Sequence, residues 1–532
     1  MSLLNSGKAF PNFLNKNINW VVFILIFVFW FLIFITSGSI FSGYHFTDDH
    51  EITEIHYNLS VQRINIFEVF IQWIQKDLNS GRLRPFYYIH RIIETNIFGL
   101  NFGLWSIYTG LLGVFTTFWL FIFGRLIDFG TKEALLFSLL TTLGAQSAIW
   151  WQLGPAETIG SFLLSMALVF TVLSEQEDYK VLSEISLIAL VLMMSLSKES
   201  FILIIPAIVF IKICISYNFK KISWQQAIIH NFLLITFLGL IFFSEIYILI
   251  FFIGLTPDIG YAGVNKLSIS TIISAAKDLN EAGDGWIISF SLFAILLLKI
   301  RRPFPAILLP NLKLGFFYLS LFLVVAIPQI LLYAKSGISH RYILPGIIGY
   351  SFLLIALYSL LNQNYKLVTK LILVLILISL GSKLTLAWEE AYTFALEGKS
   401  TNALLETIEK NTTTNDPIVI VTNPTIYYEW SFSIKKYLDY VSQRHNLYLD
   451  TYGNPKSKLY RRVESYYKYN TLTQLNNKSK VRCIITFPEM KTIFFKHSYN
   501  WFAKDNFEEY EFNNFNRNLN KNSKIYLYCK KI

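Results

Sequence analysis

The chain has 532 residues, of which 54% are hydrophobic, 17% aromatic and 15% charged, with a mean hydropathy of +0.45. Soluble domains carry about a quarter charged residues, so this balance excludes an ordinary soluble protein and indicates a membrane one. The formal charge of +11 does not argue for nucleic acid, because many Lys and Arg residues lie in short loops between apolar runs, where membrane topology accounts for them.

A membrane-crossing helix needs about 20 mostly apolar residues. Runs of that kind lie near 19–37, 102–123, 134–150, 157–174, 182–196, 200–216, 228–253, 286–299, 314–333, 342–361 and 368–387. They predict about eleven spans in an α-helical polytopic domain over residues 1–387. No small-residue cleavage site follows the first run, which therefore reads as an uncleaved signal anchor. Lys8 and Lys16 precede the first span, Arg125 and Lys132 follow the second, and Lys212, Lys220 and Lys221 mark the end of the sixth. Lys299, Arg301 and Arg302 close the eighth, and Lys366 and Lys370 open the eleventh. All fall on one side, which predicts a multi-pass plasma (inner) membrane protein with a cytoplasmic N-terminus and an extracytoplasmic C-terminus.

The first outer loop, 38–101, is long. Within it "INIFEVFIQWIQKDL" places Phe67, Phe70, Ile71, Ile74 and Leu78 on one helical face, the pattern of a helix lying along the bilayer surface. "GRLRPFYYIHRIIETNIFG" predicts a second such helix after Pro85. The fourth outer loop, Thr256 to Gly285, is of intermediate length.

From Trp388 the pattern changes. "DPIVIVTNP", "VRCIITF" and "KIYLYCKK" read as strands, and "NALLETIEKN" and "EWSFSIKKYLDYV" as helices. This alternation predicts a small extracytoplasmic α/β domain over 388–532. Cys483 and Cys529 sit in two of the strands; outside the cell a disulfide and two free thiols are both open to them. Cys214 lies in an apolar run. The chain contains no G-x-x-x-x-G-K-[ST] or G-x-G-x-x-G loop, no H-E-x-x-H and no paired C-x-x-C, which argues against nucleotide-driven transport and zincin chemistry.

"SGYHFTDDHEITEIHYNLS" (42–60) carries Asp48, Asp49, His50 and Glu51 just beyond the first span, with His50 and Glu51 as candidate contacts to a sugar or acceptor. An acidic pair in a loop is commonly only a solvated turn. Held at a membrane surface, such a carboxylate can also take a proton from a hydroxyl or bind a divalent cation. Arg82 and Arg84 share that loop, Lys198 lies in "LSKES", and His340 and Arg341 lie in "SGISHRYILPG". A lone Arg or Lys at a span end commonly snorkels. Several on the outer side run against the positive-inside trend, and together they would suit a phosphate or pyrophosphate head group. "AIWWQLGPAETIG" adds an outward turn with Trp150, Trp151 and Glu157. The tryptophans read as an aromatic belt or as a sugar-stacking surface, and Glu157 as a helix-start charge or a further site carboxylate.

On "FTDDHEI", "GRLRPFYY", "WWQLGPAETIG", "LSKESFILIIP" and "HRYILPG" the chain resembles the GT-C superfamily of membrane glycosyltransferases. That superfamily includes protein O-mannosyltransferases, aminoarabinose transferases and oligosaccharyltransferase catalytic subunits. The resemblance covers most of residues 1–387 and leaves the C-terminal domain aside. It implies an acidic residue of the first outer loop as base or metal ligand, here Asp48 or Asp49, and basic residues on the donor phosphate, here Lys198 and Arg341. It leaves metal use open, with Mg or Mn as the cations that Asp48 and Asp49 would hold. The implied reaction is inverting sugar transfer from a polyprenyl-phosphate donor to an extracytoplasmic acceptor, with membrane lipids as further partners. A lipid-linked oligosaccharide polymerase or ligase, a lipid or solute transporter and a structural envelope protein are the alternatives.

Overall fold

Hydrocarbon offers no partner to backbone N–H and C=O groups, so apolar runs free of breakers close their bonds within helices. The computed structural model of the chain describes residues 16–46, 48–79, 81–253, 268–301, 308–362, 365–452, 470–496, 502–516 and 521–531. Lys8, Arg302 and the start of the fourth outer loop, up to residue 267, lie outside them. In chain order the helices are α1 (Lys16–Ser37), α2 (Asp49–His56), α3 (Ile66–Asn79), α4 (Pro85–Phe98), α5 (Phe102–Leu126), α6 (Thr131–Thr142), α7 (Ala148–Trp151) and α8 (Ala156–Leu173). There follow α9 (Lys180–Ser195), α10 (Ile205–Lys220), α11 (Trp224–His230), α12 (Phe232–Tyr247), α13 (Ile269–Ala282), α14 (Gly285–Arg301), α15 (Leu308–Ser336), α16 (Leu344–Asn362) and α17 (Lys366–Asn411).

Among the described residues eight helical stretches are long and apolar enough to cross a membrane: Asn17–Ser37, Phe102–Leu126, Ala156–Leu173, Glu199–Lys220, Phe232–Phe252, Tyr318–Lys335, Leu344–Asn362 and one within Lys366–Asn411. The run expected at 134–150 is broken, with α6 and the turn of helix after it meeting at 71°. Gly144 stands at that break with φ +100°, and a Cβ there would press on Gln146 and Lys383. The runs expected at 182–196 and 286–299 are α9 and α14, of 16 and 17 residues. At 1.5 Å per residue they cover about 25 Å, slightly less than the roughly 30 Å hydrocarbon thickness, a shortfall that local thinning of the bilayer accommodates.

Residues group into two compact units: the described parts of 1–33, 72–89 and 108–390, and those of 34–71, 90–107 and 391–532. This grouping joins two stretches of the first outer loop to the C-terminal residues, an association that a linear division of the chain does not provide. In the first unit α16 is buried along nearly its whole length, whereas α12 shows mostly apolar side chains outward, as a lipid-facing helix does.

α3 and α4 form where the sequence predicts them. Phe67, Ile71 and Leu78 of α3 are exposed while Val69, Trp73 and Asp77 are buried, so the predicted apolar face is the outward one. On α4 the exposed Ile89, Ile93 and Ile97 recur every fourth residue and make a matching stripe. Exposed apolar stripes beside multiple spans suit a bilayer surface.

The second unit carries a six-stranded sheet of β1 (Ile418–Thr422), β2 (Leu447–Thr451), β3 (Asn470–Thr471), β4 (Cys483–Thr486), β5 (Phe507–Asn516) and β6 (Lys521–Lys530), in the order β3-β2-β1-β4-β6-β5. β3, β2, β1 and β4 pair in parallel, and β6 is antiparallel to both β4 and β5. β1 is buried on both faces, as its unbroken Ile-Val-Ile-Val run requires. The C-terminal half of α17, α18 (Pro424–Lys436) and α19 (Met490–Lys496) contribute Leu404, Ile408, Ile434 and Phe494 to its core, which also takes in Tyr44 and Phe46 of the first loop. Cys483 and Cys529 face each other across β4 and β6 and form a disulfide. The pairing left open by the sequence is thus resolved, and Cys214 is a buried free thiol.

Candidate functional site

The acidic turn lies in the second unit and is held there by backbone bonds. Asn402 of α17 accepts from the Tyr44 N–H at 3.3 Å and donates to the Ser42 and Tyr44 carbonyls at 3.0 and 3.2 Å. Gly43 (φ +76°) passes so close that a Cβ would collide with the Asn402 amide. Ser433 of α18 donates to the Phe46 carbonyl at 2.7 Å, and the Tyr44 hydroxyl donates to the Ser433 carbonyl at 2.9 Å. An extended polar segment needs such partners, because its own neighbours offer it no ladder.

The two aspartates then diverge. Asp48 adopts φ +52°, a conformation that Asp tolerates better than most residues, and stands before α2 with its side chain partly exposed. Its carbonyl accepts from Arg91 Nη2 at 3.2 Å, and the buried Arg91 guanidinium lies 4.8 Å from the centroid of Trp105. Asp49 is completely buried. Its Oδ2 accepts from the His45 N–H at 2.9 Å and lies 3.1 Å from His45 Nδ1.

His45 Nε2 lies 3.2 Å from the Phe394 carbonyl, which can only accept, so that nitrogen carries a hydrogen. The Nδ1–Oδ2 contact is then bridged by one proton, carried by the imidazolium or by the carboxylic acid. Burial raises the Asp49 carboxyl above its usual range, against the pull of His45 and Arg91. Asp49 is therefore an internal brace without surface for a substrate, whereas Asp48 keeps part of its side chain exposed.

Of the residues that follow, His50 contacts the Ser433 hydroxyl at 3.2 Å through Nδ1. Glu54 is ion-paired with Lys436 of α18. Burial pushes the Lys436 ammonium down to about 7, against the attraction of Glu51 and Asp439. Arg91, Asn402, Ser433 and Lys436 each lie far in sequence from the segment they hold, so no local spacing marks them. Among the described residues no group of three or more His, Cys, Asp or Glu side chains is arranged to hold a metal ion. With Asp49 bonded to His45, the acidic pair does not fit the Mg or Mn expectation.

The predicted cations lie in the first unit. Pro85 opens α4, and the residue before a proline is pushed out of the helical region. From there Arg84 Nη2 reaches Asp77 Oδ1 at 2.6 Å and the Tyr88 hydroxyl at 2.8 Å. Arg82 Nε lies 3.4 Å from Glu199. Lys198 is ion-paired with Glu157, in the first turn of α8, and its Nζ lies 3.8 Å from the centroid of Tyr342. Arg341 donates to the Tyr342 hydroxyl at 3.0 Å, while the exposed His340 lies 3.2 Å from Glu390.

Arg82, Arg84 and Lys198 are all buried. Burial, and then the neighbouring Arg341 and Arg82, push the Lys198 ammonium well below the usual lysine range. A cation depressed by other cations marks a place where an added anion is stabilised.

The tryptophan expectation is corrected here. Trp150 and Trp151 are buried, with Trp151 packed 5.4 Å from Trp30 between ring centroids; they form no aromatic belt and offer no face to a sugar. Glu157 stands in the first turn of α8, as its helix-start reading expects, and is the counter-ion of Lys198. Arg84, bonded to Asp77 and Tyr88, braces the turn between α3 and α4 and, with Arg341 and Arg82, depresses Lys198.

No protein-family model and no curated protein matches the sequence. Among solved structures the chain is similar to the crystal structure of ArnT from Cupriavidus metallidurans bound to undecaprenyl phosphate, at 13% identity with a TM-score of 0.50, covering 96% of this chain and 98% of that one. The apo structure of the same protein gives a TM-score of 0.49 at 13% identity, covering 96% and 97%. The apo Archaeoglobus fulgidus oligosaccharyltransferase gives 0.39 at 11% identity, covering 78% of this chain and 62% of that one. The chain is a multi-pass membrane protein that shares the fold of ArnT over almost its whole length, as its resemblance to the GT-C superfamily implies.

Proposed function

We propose that this protein is an integral-membrane glycosyltransferase that moves a sugar from a polyprenyl-phosphate donor to a hydroxyl of an extracytoplasmic acceptor. The observation that carries the reading is the buried basic set around Lys198, on a fold shared with a protein solved with undecaprenyl phosphate bound. Asp48 takes the proton of the acceptor hydroxyl as its oxygen bonds to the anomeric carbon. The bond from that carbon to the phosphate oxygen breaks, its electron pair passes to the phosphate, and the anomeric configuration inverts. Arg82, Lys198 and Arg341 stabilise the charge that gathers on the leaving phosphate, which well-aimed donors do by a few kcal/mol each. The Cys483–Cys529 disulfide supports an oxidising, extracytoplasmic location for the C-terminal residues. The outward apolar stripes of α3 and α4 support a lipid-borne donor.

The test is mass spectrometry of surface glycans and polyprenyl-phosphate sugars from cells with and without this chain. The reading expects one polyprenyl-phosphate sugar to accumulate in its absence while one surface glycan loses that sugar. Unchanged pools of both would refute it.

A further inference from the structure

Helices α8 and α10 start beside the Glu157–Lys198 pair and end at a second buried charge cluster. α8 has 18 residues, about 27 Å of helix, close to the hydrocarbon thickness. The second cluster therefore lies at the opposite leaflet from Lys198. At its centre is Glu175, just past the end of α8, ion-paired with Lys212 of α10 and hydrogen-bonded by Ser216. Around this buried core Lys220 Nζ lies 2.9 Å, and Lys180 Nζ 3.3 Å, from the same nitrogen, Nε2 of His230. A neutral imidazole nitrogen has one lone pair for these two ammonium donors.

The two ammonium groups are thus at most about 6 Å apart, where like charges repel unless an anion is near. Glu175 Oε2 is 4.0 Å from both Lys220 and His230, beyond hydrogen-bonding range, and its other oxygen is taken by Lys212. Glu184 lies 3.9 Å from Lys180. Lys180, Lys212 and Lys220 thus face Glu175 and Glu184, with one positive charge in excess. The side chains of Lys180, Lys220 and His230 are 30%, 27% and 27% exposed, so an outside group can reach them.

Apolar side chains flank the cluster, beside the exposed polar Glu177, Lys221, Gln225 and Gln226. Val181, Leu182, Ile185, Ile229, Phe232 and Leu233 are all well exposed, at the start of α9 and where α11 leads into α12. Trp224, at the start of α11, is 42% exposed and stacks on Tyr217 at 4.9 Å between centroids. Trp at such a position sits at headgroup level. A basic cluster rimmed by lipid-facing side chains has the complementarity of an anionic phospholipid: phosphate to the lysines, acyl chains along the apolar rim.

We propose that Lys180, Lys220 and His230 form a headgroup site for an anionic phospholipid of the leaflet opposite Lys198, separate from the donor-phosphate cluster. The test is native mass spectrometry of the full-length, detergent-solubilised protein titrated with palmitoyl-oleoyl phosphatidylglycerol or phosphatidylcholine. Wild type should retain the phosphatidylglycerol in preference, and Lys180→Gln with Lys220→Gln should lower that preference by about fivefold per lysine removed. Millimolar inorganic phosphate should leave the lipid adduct in place. Equal adducts in wild type and the double variant would overturn the site, and displacement by inorganic phosphate would overturn the lipid as its occupant. If the double variant does not fold, Lys180→Gln alone decides, because its side chain is partly exposed; an undiminished preference there also overturns the proposal.

Discussion

The Lys198 ammonium is ion-paired with Glu157 across 41 residues of sequence, and both are buried. Removing one partner strands the other charge, which costs about 3–5 kcal/mol. Lys198→Gln alone should therefore lower the melting temperature, and Lys198→Gln combined with Glu157→Gln should recover most of it. Only the functional reading expects the recovered double variant to remain poor at using donor. It also predicts a pH signature. A phosphate beside Lys198 raises its depressed pKa, so donor binding takes up a proton and weakens as pH rises. Donor KM measured against pH should climb in wild type and stay flat in the double variant; identical profiles would remove Lys198 from the donor site.

Asp48 and Asp49 should respond differently to substitution. Asp48 is partly exposed, so Asp48→Asn should leave the melting temperature unchanged and lower kcat by about 10²–10⁴, the range for a lost general base. Asp49→Ala leaves the His45 N–H without its buried acceptor, which should cost about 1–3 kcal/mol and show as a lower melting temperature. Full transfer activity in Asp48→Asn would place the base elsewhere.

The difference between these aspartates marks where sequence reasoning stopped. Eight of the eleven expected runs are helices long and apolar enough to cross a membrane among the described residues, because a 20-residue apolar run has few other uses, and the periodicity of Phe67, Ile71 and Leu78 announced α3. Nothing local distinguishes Asp48 from its neighbour. The burial of Asp49 depends on His45 and on Phe394, 349 residues from that histidine. "WWQLG" read as an interfacial belt because Trp at a span end commonly is one. Here the chain breaks at Gly144, and both indoles turn inward. Lys198, Arg82 and Arg341 were legible as cations at the ends of apolar runs, but their counter-ions were not, since pairing is a property of the fold.

The Cys483–Cys529 disulfide closes a separation of 46 residues between paired strands. A cross-link of that span stabilises by about 2–4 kcal/mol, chiefly by restricting the unfolded chain. Changing both cysteines to Ser should lower the melting temperature by a corresponding amount, and reductant should do the same to wild type. A wild-type melting curve indifferent to reductant would mean that the thiols are free.

Lys436 offers the last test, through the pH dependence of stability. Its folded value is about 7 and its ordinary one 10.5. Between those values the unfolded chain holds a proton that the folded chain has released. Unfolding therefore takes up a proton, and the contribution of this residue to stability rises with pH across that window. Below about 7 both states carry the charge, and the slope vanishes. Lys436→Met removes the titrating group and should flatten the rise between pH 7 and 10 in denaturant melts of the full chain. It also leaves Glu54 without its ion pair, so α2 loses an anchor to α18 and kcat should fall with donor KM unchanged. Should the wild-type slope persist in Lys436→Met, another group is titrating.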